Sequence, residues 1–533
     1  MKVRTALDRA AQNIGGKFKQ QPEVEAAIRA TIGSTYYDLG LYPEGRTQLE
    51  RALELDKAVW GPENQKTIKT MLFLAATEEE QGKVKDAEAV AKQALEISRR
   101  ALGPENLLTL DSMNRLTSIY DELGKYSEGE ALGTQAVEIS RRVKGPEAQV
   151  TLDSMFFLAI MYYEEGKYAQ AETTNQQVLD IRRRVLGPDH PDTLNAMNNL
   201  AAAYASEGKI TKAVEMNKEL IESRRRVLGA EHPDTLDAMV NLGFDYREEK
   251  RYTEAEAIDR QVLETQRRVL GPEHPLTLRS VQNLANDLRA LGHTTEAQAM
   301  DSQTLEIRRR VLGPEEPDTL SSMNNLAEDY RRDHQYEQAA ALDEKTEEIR
   351  ARVLGPQNPA TLDSLSSLGA DYKDLREYSK AESAYRKSSE GQPDNAAAFK
   401  DLAWFLLTVP DQRLRRPQEA LELARKSVKL AGENPGDEYN TLGLALVRNR
   451  LWDEAISTLK KSVEFNKGAE PADFFLLAVA YQGNGAGADA ERNLTLGADL
   501  AQKAASNDSD TRELWAEAAK ALGQPGPPRV VAH

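Results

Sequence analysis

Three histidines share one register position in this chain: His190, His232 and His274, each followed by proline. Stacked imidazoles could ligate a metal. Glu316 and Asn358 fill the same position in later copies, however. One 42-residue step is also far longer than the ~2 Å metal–nitrogen bond allows. The simpler expectation is loop chemistry ahead of a helix. Basic runs such as Arg182-Arg183-Arg184 could hold phosphate, but they also suit the negative ends of helix dipoles. No H-E-x-x-H, G-x-S-x-G, Walker A or kinase signature occurs. No enzymatic activity, metal or cofactor is expected.

Two other columns carry binding chemistry. Asn199, Asn241, Asn283 and Asn325 recur at 42-residue intervals. Asparagine is a mediocre helix former, so four copies in helical register need another cause. A carboxamide both donates and accepts hydrogen bonds, which suits an extended peptide backbone. Six residues after the last three asparagines stand Arg247, Arg289 and Arg331, and Lys373 continues the column. Beside the amides, such a stripe would favour an acidic peptide or carboxylate. The competing expectation is that these cations only pair with acids on neighbouring helices. Phe73 and Phe157 take the asparagine position in earlier copies, and Phe156 adjoins. They are candidates for a separate apolar contact.

The elements that position these residues follow a clock. Gly-Pro stands at 61, 103, 145, 187, 271, 313 and 355, and Gly229-Ala230 fills the gap, so every interval is 42 residues. A fixed period of this length is the mark of a stacked repeat array. Thr67 begins a column that runs at the same interval to Thr361, and Leu74 begins one that runs to Leu368. Tyrosine usually follows that leucine by four residues, as at Tyr204 and Tyr246, and an apolar residue precedes it by three, usually methionine. These spacings make the buried stripe of a first helix. Glycine then often ends it, as at Gly82 and Gly208. A second helix follows, with a small residue where helices approach closely: Ala87, Gly129, Ala171 and onward to Ala381. Gly-Pro stops that helix.

The Leu, Tyr, Gly, Tyr, Ala order resembles the tetratricopeptide repeat. The 42-residue unit, with "EIRRRVLGPDHPDTL" and "MNNLAAAY", is similar to the kinesin-light-chain variant. The resemblance covers residues 25–390 as nine hairpins with a degenerate first one. It implies an all-α fold, a right-handed α-solenoid of antiparallel helix pairs. Residues 1–24 read as a helical lead-in, 391–508 as three less regular helical pairs, and 509–533 as a capping helix with a disordered tail. In this family the first helices line a concave face on which peptides lie. That implies a protein- or peptide-binding scaffold with Asn199, Asn241, Asn283 and Asn325 clamping backbone. The segment "LLTVPDQRLRRPQEALELARKSV" resembles the repeat regions that end bacterial serine/threonine kinases. It implies the alternative of a detached regulatory part of a larger signalling protein, a kinase or STAND-type NTPase. Self-assembly is a third reading.

Composition fits a scaffold. Of 533 residues 29% are charged, and the net charge of −17 argues against nucleic acid as the main partner. There is no cysteine, hence no disulfide or thiolate chemistry. No apolar run of about 18 residues occurs, so no membrane span is expected. Met1 to Phe18 lacks a signal-peptide core, and a cytoplasmic location is expected.

Overall fold

The structure is a computed structural model and describes residues 2–14, 17, 18, 20–432, 434–503 and 509–527. The final tail residues, 528–533, lie outside the described residues. Among the described residues the fold is all-α, built from antiparallel helix pairs. After the lead helix Lys2–Ile14 come nine pairs, from Pro22–Asp38 with Tyr42–Trp60 to Pro359–Asp374 with Tyr378–Gly391. Three shorter pairs follow: Ala396–Thr408 with Pro417–Leu430, Gly436–Arg448 with Trp452–Phe465, and Pro471–Gly483 with Gly487–Lys503. The last helix is Ser509–Leu522. None of these helices is long and apolar enough to cross a membrane.

The chain divides into two compact units, Met1–Ser280 and Val281–His533. In the first, the leucine and methionine columns are buried, as at Leu200, Leu242, Met197 and Met239. The alanines of the second helices are sealed against them, as at Ala171, Ala213 and Ala255. Gly129 replaces alanine because a Cβ there would come within 2.2 Å of Met161 Sδ. The second unit repeats the scheme with Leu326, Met323 and Ala339, then changes to a larger aromatic core around Phe405, Phe475 and Trp515.

The threonine column has a geometric cause. Each Gly of the clock is left-handed, from Gly61 at φ +80° to Gly313 at +110°. That turn leaves the glycine carbonyl without a helical partner. Thr67 Oγ1 donates to Gly61 O at 2.8 Å, and Thr193 to Gly187 O and Thr361 to Gly355 O repeat the bond. The arginine runs have divided roles. The first arginine is buried and bonds a carbonyl at the start of the next helix, as Arg224 Nη1 does with Asp234 O at 2.7 Å. The third reaches back to an acid after the preceding Gly-Pro, as Arg184 does to Glu147 at 2.6 Å. The histidines serve as helix caps. His190 and His232 Nδ1 accept from Asp192 N and Asp234 N at 3.2 Å, the bond that Asn64 and Asn358 make with their own side chains.

Candidate peptide-binding face

The four asparagines lie on first helices, immediately before the buried leucine column. In the first unit Asn199 is half-buried and Asn241 exposed; in the second Asn283 and Asn325 are half-buried. None of the four amides makes a side-chain hydrogen bond to a described residue, and Asn199 Nδ2 is buried without a partner. Phe73 is 46% exposed and walls a cavity of about 410 Å³ with Tyr37, Leu72, Leu108 and Arg115. Phe157 does not border that cavity. It is half-buried, edge-on to Phe156 at 5.6 Å.

The basic column departs from the free stripe that would select acidic peptides. Its cations are held inside the array. Arg331 Nη2 bonds Asp343 Oδ2 at 3.0 Å on its own second helix, and Nε bonds Asp371 Oδ1 at 2.7 Å on the next first helix. Arg289 makes the same bridge between Asp301 and Asp329. Arg247 Nη1 meets Asp259 Oδ2 at 2.5 Å. The carboxylates lie within the helix stack, where a lone charge would be costly, so the arginines are drawn inward. Burial pushes Asp301 up to about 7 and Asp343 up to about 8. The sequence carries this signal as two aspartate columns at the same 42-residue interval: Asp259, Asp301 and Asp343, and Asp245, Asp287, Asp329 and Asp371.

Lys373 is taken by a segment of the chain itself. The last helix, Ser509–Leu522, lies against the first helices of the final pairs. Asp510 accepts from Lys373 Nζ at 2.9 Å and from Trp404 Nε1 at 2.7 Å. Glu513 pairs with Arg415, Glu517 pairs with Arg448, and Trp515 stacks on Phe475 at 5.5 Å.

A second cavity opens in the first unit. It measures about 310 Å³ and is lined by Ala201, Ala205, Asn217, Asn241, Phe244 and Asp245 among others. Asn217 and Asp245 are each 2% exposed. Asn217 Nδ2 donates to Asp245 Oδ2 at 2.8 Å, and Asn217 Oδ1 has no partner. Burial raises Asp245 to about 6.

Comparison with proteins of curated function returns no match. Two solved structures of a Podosopora anserina putative kinesin light chain with nearly identical TPR-like repeats, one of them a point variant, are each 30% identical. They match 38% and 39% of this chain and 96% and 98% of their own, at TM-scores of 0.36 and 0.37. BtubC (BKLC) of P. vanneervenii is 19% identical over 43% of this chain and 92% of its own, at a TM-score of 0.38. The family profile described as tetratricopeptide repeat matches seven overlapping stretches between residues 24 and 394, interrupted only at 227–233. With the helix pairs, the buried leucine column and the alanine contacts in place, the chain belongs to the tetratricopeptide-repeat family.

Proposed function

We propose that this chain is a non-catalytic scaffold that holds an extended segment of a protein partner along its first helices. One observation carries the reading. Four asparagine amides recur at one helical position, at least partly open, and none makes a side-chain hydrogen bond among the described residues. An amide left unbonded at a half-buried site costs stability relative to an apolar residue. A ligand backbone supplies both the donor and the acceptor that it lacks. Asn199 and Asn241 would grip a segment on the first unit, and Asn283 and Asn325 one on the second. The apolar cavity at Phe73 offers an anchor pocket for an aromatic or aliphatic side chain. Because the basic column is neutralised by the array's own aspartates, it adds no preference for acidic ligands.

The test is capture from a lysate of the source cell, with wild type and an Asn199→Ala/Asn241→Ala variant side by side and mass spectrometry as the readout. A partner held by wild type and lost by a variant with an unchanged helical melting curve supports the scaffold reading. Partner lists that are identical for the two proteins would refute it.

A further inference from the structure

The guanidinium bridges of the later repeats follow a strict register. The arginine stands on a first helix, one acceptor twelve residues later on its own second helix, and the other forty residues later on the next first helix. Arg289 with Asp301 and Asp329, and Arg331 with Asp343 and Asp371, both obey it. Position 205 lies 42 residues before Arg247, and it is occupied by alanine. Its two acceptor positions are nevertheless filled: twelve residues on is Asn217, and forty residues on is Asp245. Here, then, the acceptors of a bridge are built and the cation is missing.

The structure holds a cavity at this place. Ala205, Asn217 and Asp245 all line it, and its volume is about 310 Å³. A water molecule takes roughly 30 Å³, so a guanidinium with its methylene stem fits with space to spare. The acceptors behave as an unfinished site. Among the described residues Asn217 Oδ1 is buried with no partner, and the Asp245 carboxylate has only the Asn217 amide. No arginine or lysine lines the cavity, whereas Glu248 does. Tyr163 and Phe244 supply aromatic walls, and Phe244 is 49% exposed, so the cavity is open to solvent at that edge. Asn241, one of the free amides, also borders it. A carboxylate, an unpaired amide oxygen and aromatic faces together are the surroundings a planar cation seeks.

We infer that this cavity is the seat of an arginine side chain from the bound partner, whose guanidinium takes in trans the place that Arg289 and Arg331 take in cis in their own repeats. Arginine fits better than lysine because the two acceptors lie on different helices, and a forked donor reaches both. The inference rests on the peptide-binding reading above and adds the side chain that the peptide must carry. Asn241 at the border would then fix the backbone beside that arginine.

The experiment needs no natural partner. The probe is Nα-acetyl-arginine N-methylamide, followed by ligand-detected NMR with the full chain at low ionic strength. The matching blocked citrulline serves as the neutral isostere. Wild type is expected to bind the arginine probe and not citrulline. Asp245→Asn should weaken binding at least about tenfold, as loss of a charge-assisted hydrogen bond does. Ala205→Arg should abolish it by filling the seat from within, and should keep the fold because the bridge it completes already exists two and three repeats later. Equal binding of arginine and citrulline, or undiminished binding by Ala205→Arg, would overturn the inference. The two proposals fail separately. Asparagine-dependent capture of a partner with no arginine binding removes the seat and leaves the scaffold. Arginine binding without any such partner does the reverse.

Discussion

Replacing Arg331 by methionine removes the cation from between two carboxylates and keeps most of the side-chain volume. The Asp343 and Asp371 side chains are 2% and 0% exposed, and Arg331 itself only 19%. Both acids would be left in the helix stack without their bridge. Removing one partner of a buried ion pair typically costs about 3–5 kcal/mol. At about 1.4 kcal/mol per factor of ten, that is roughly two to three and a half orders of magnitude in local opening. The cost must also depend on pH. Burial and the neighbouring Asp371 raise Asp343 to about 8, against an unfolded value near 3.9. The folded state therefore holds a proton between those values that the unfolded chain releases. The stability from this group is fully present below about pH 4 and is lost as pH rises through about 8. Without Arg331 both carboxyls titrate higher still. The penalty should therefore grow as pH rises from 5, where Asp343 is protonated and neutral, towards 9. The assay is hydrogen exchange by mass spectrometry over Pro317–Arg332 and Pro359–Asp374. Comparing the variant with wild type at each pH cancels the intrinsic pH dependence, and Pro191–Ser206 serves as an internal reference. A penalty that stays flat from pH 5 to pH 9 would refute the electrostatic reasoning. So would a failure of Arg331→Met/Asp343→Leu/Asp371→Leu to recover most of the loss, since an apolar replacement of a buried bridge is commonly neutral or stabilising.

Other expectations follow from single contacts. His334 and Arg376 end first helices at φ +59° and +62°, where other repeats use glycine. Left-handed geometry costs an ordinary residue roughly 1–2 kcal/mol, so His334→Gly and Arg376→Gly should each slow local exchange by roughly five- to thirtyfold. Thr235→Val removes the bond to the Gly229 carbonyl and should cost about 1 kcal/mol, read as faster exchange at the start of Pro233–Glu248. Gly129→Ala should destabilise its repeat through the clash with Met161, and adding Met161→Ala should restore much of the melting temperature. Trp515→Ala should cost about 3 kcal/mol or more, seen as rapid exchange in Pro471–Gly483, against which Trp515 stacks through Phe475.

The helix pairs were legible because their determinants are local and repeated. A leucine with a tyrosine four residues on, an alanine contact and a left-handed glycine need no knowledge of distant chain, and eight copies remove accidents of composition. The place of the asparagine column on the first helices was legible for the same reason. The basic column left two expectations open, a free stripe or pairing with acids on neighbouring helices, because charge type in a sequence does not say which way a long side chain turns. Arg247, Arg289 and Arg331 look like a solvent-facing stripe until the aspartate columns at 259, 301 and 343 and at 329 and 371 are placed against them. Those acids are twelve and forty residues away, and only the stacking of one pair on the next brings them to the guanidinium. The partners of the last helix were not legible for a related reason. Residues 511–522 read as a cap, but Asp510 meets Lys373 and Trp404 across 137 and 106 residues.

The same columns show how this array changes chemistry along its length without changing fold. At the positions later filled by Asp371 and its equivalents, earlier repeats carry Thr77, Ile119, Met161 and Ala203, and at those of Asp343 they carry Leu49, Ala91, Gly133 and Asn175. At these two positions the contact between successive pairs is thus mostly apolar early and ionic late, with the leucine column unchanged behind it. Position 205 falls at the transition. Asn217 and Asp245 already belong to the polar scheme, and Ala205 still belongs to the apolar one. A cavity with buried, unsatisfied acceptors is what such a junction must leave, because neither an aliphatic neighbour nor a cation is supplied to close it. If the junction were only a relic of repeat exchange, filling it with Ala205→Arg would raise stability and change nothing else. If the junction is a site, the same substitution raises stability and removes binding. That one variant therefore separates an accident of the array's history from a function built on it.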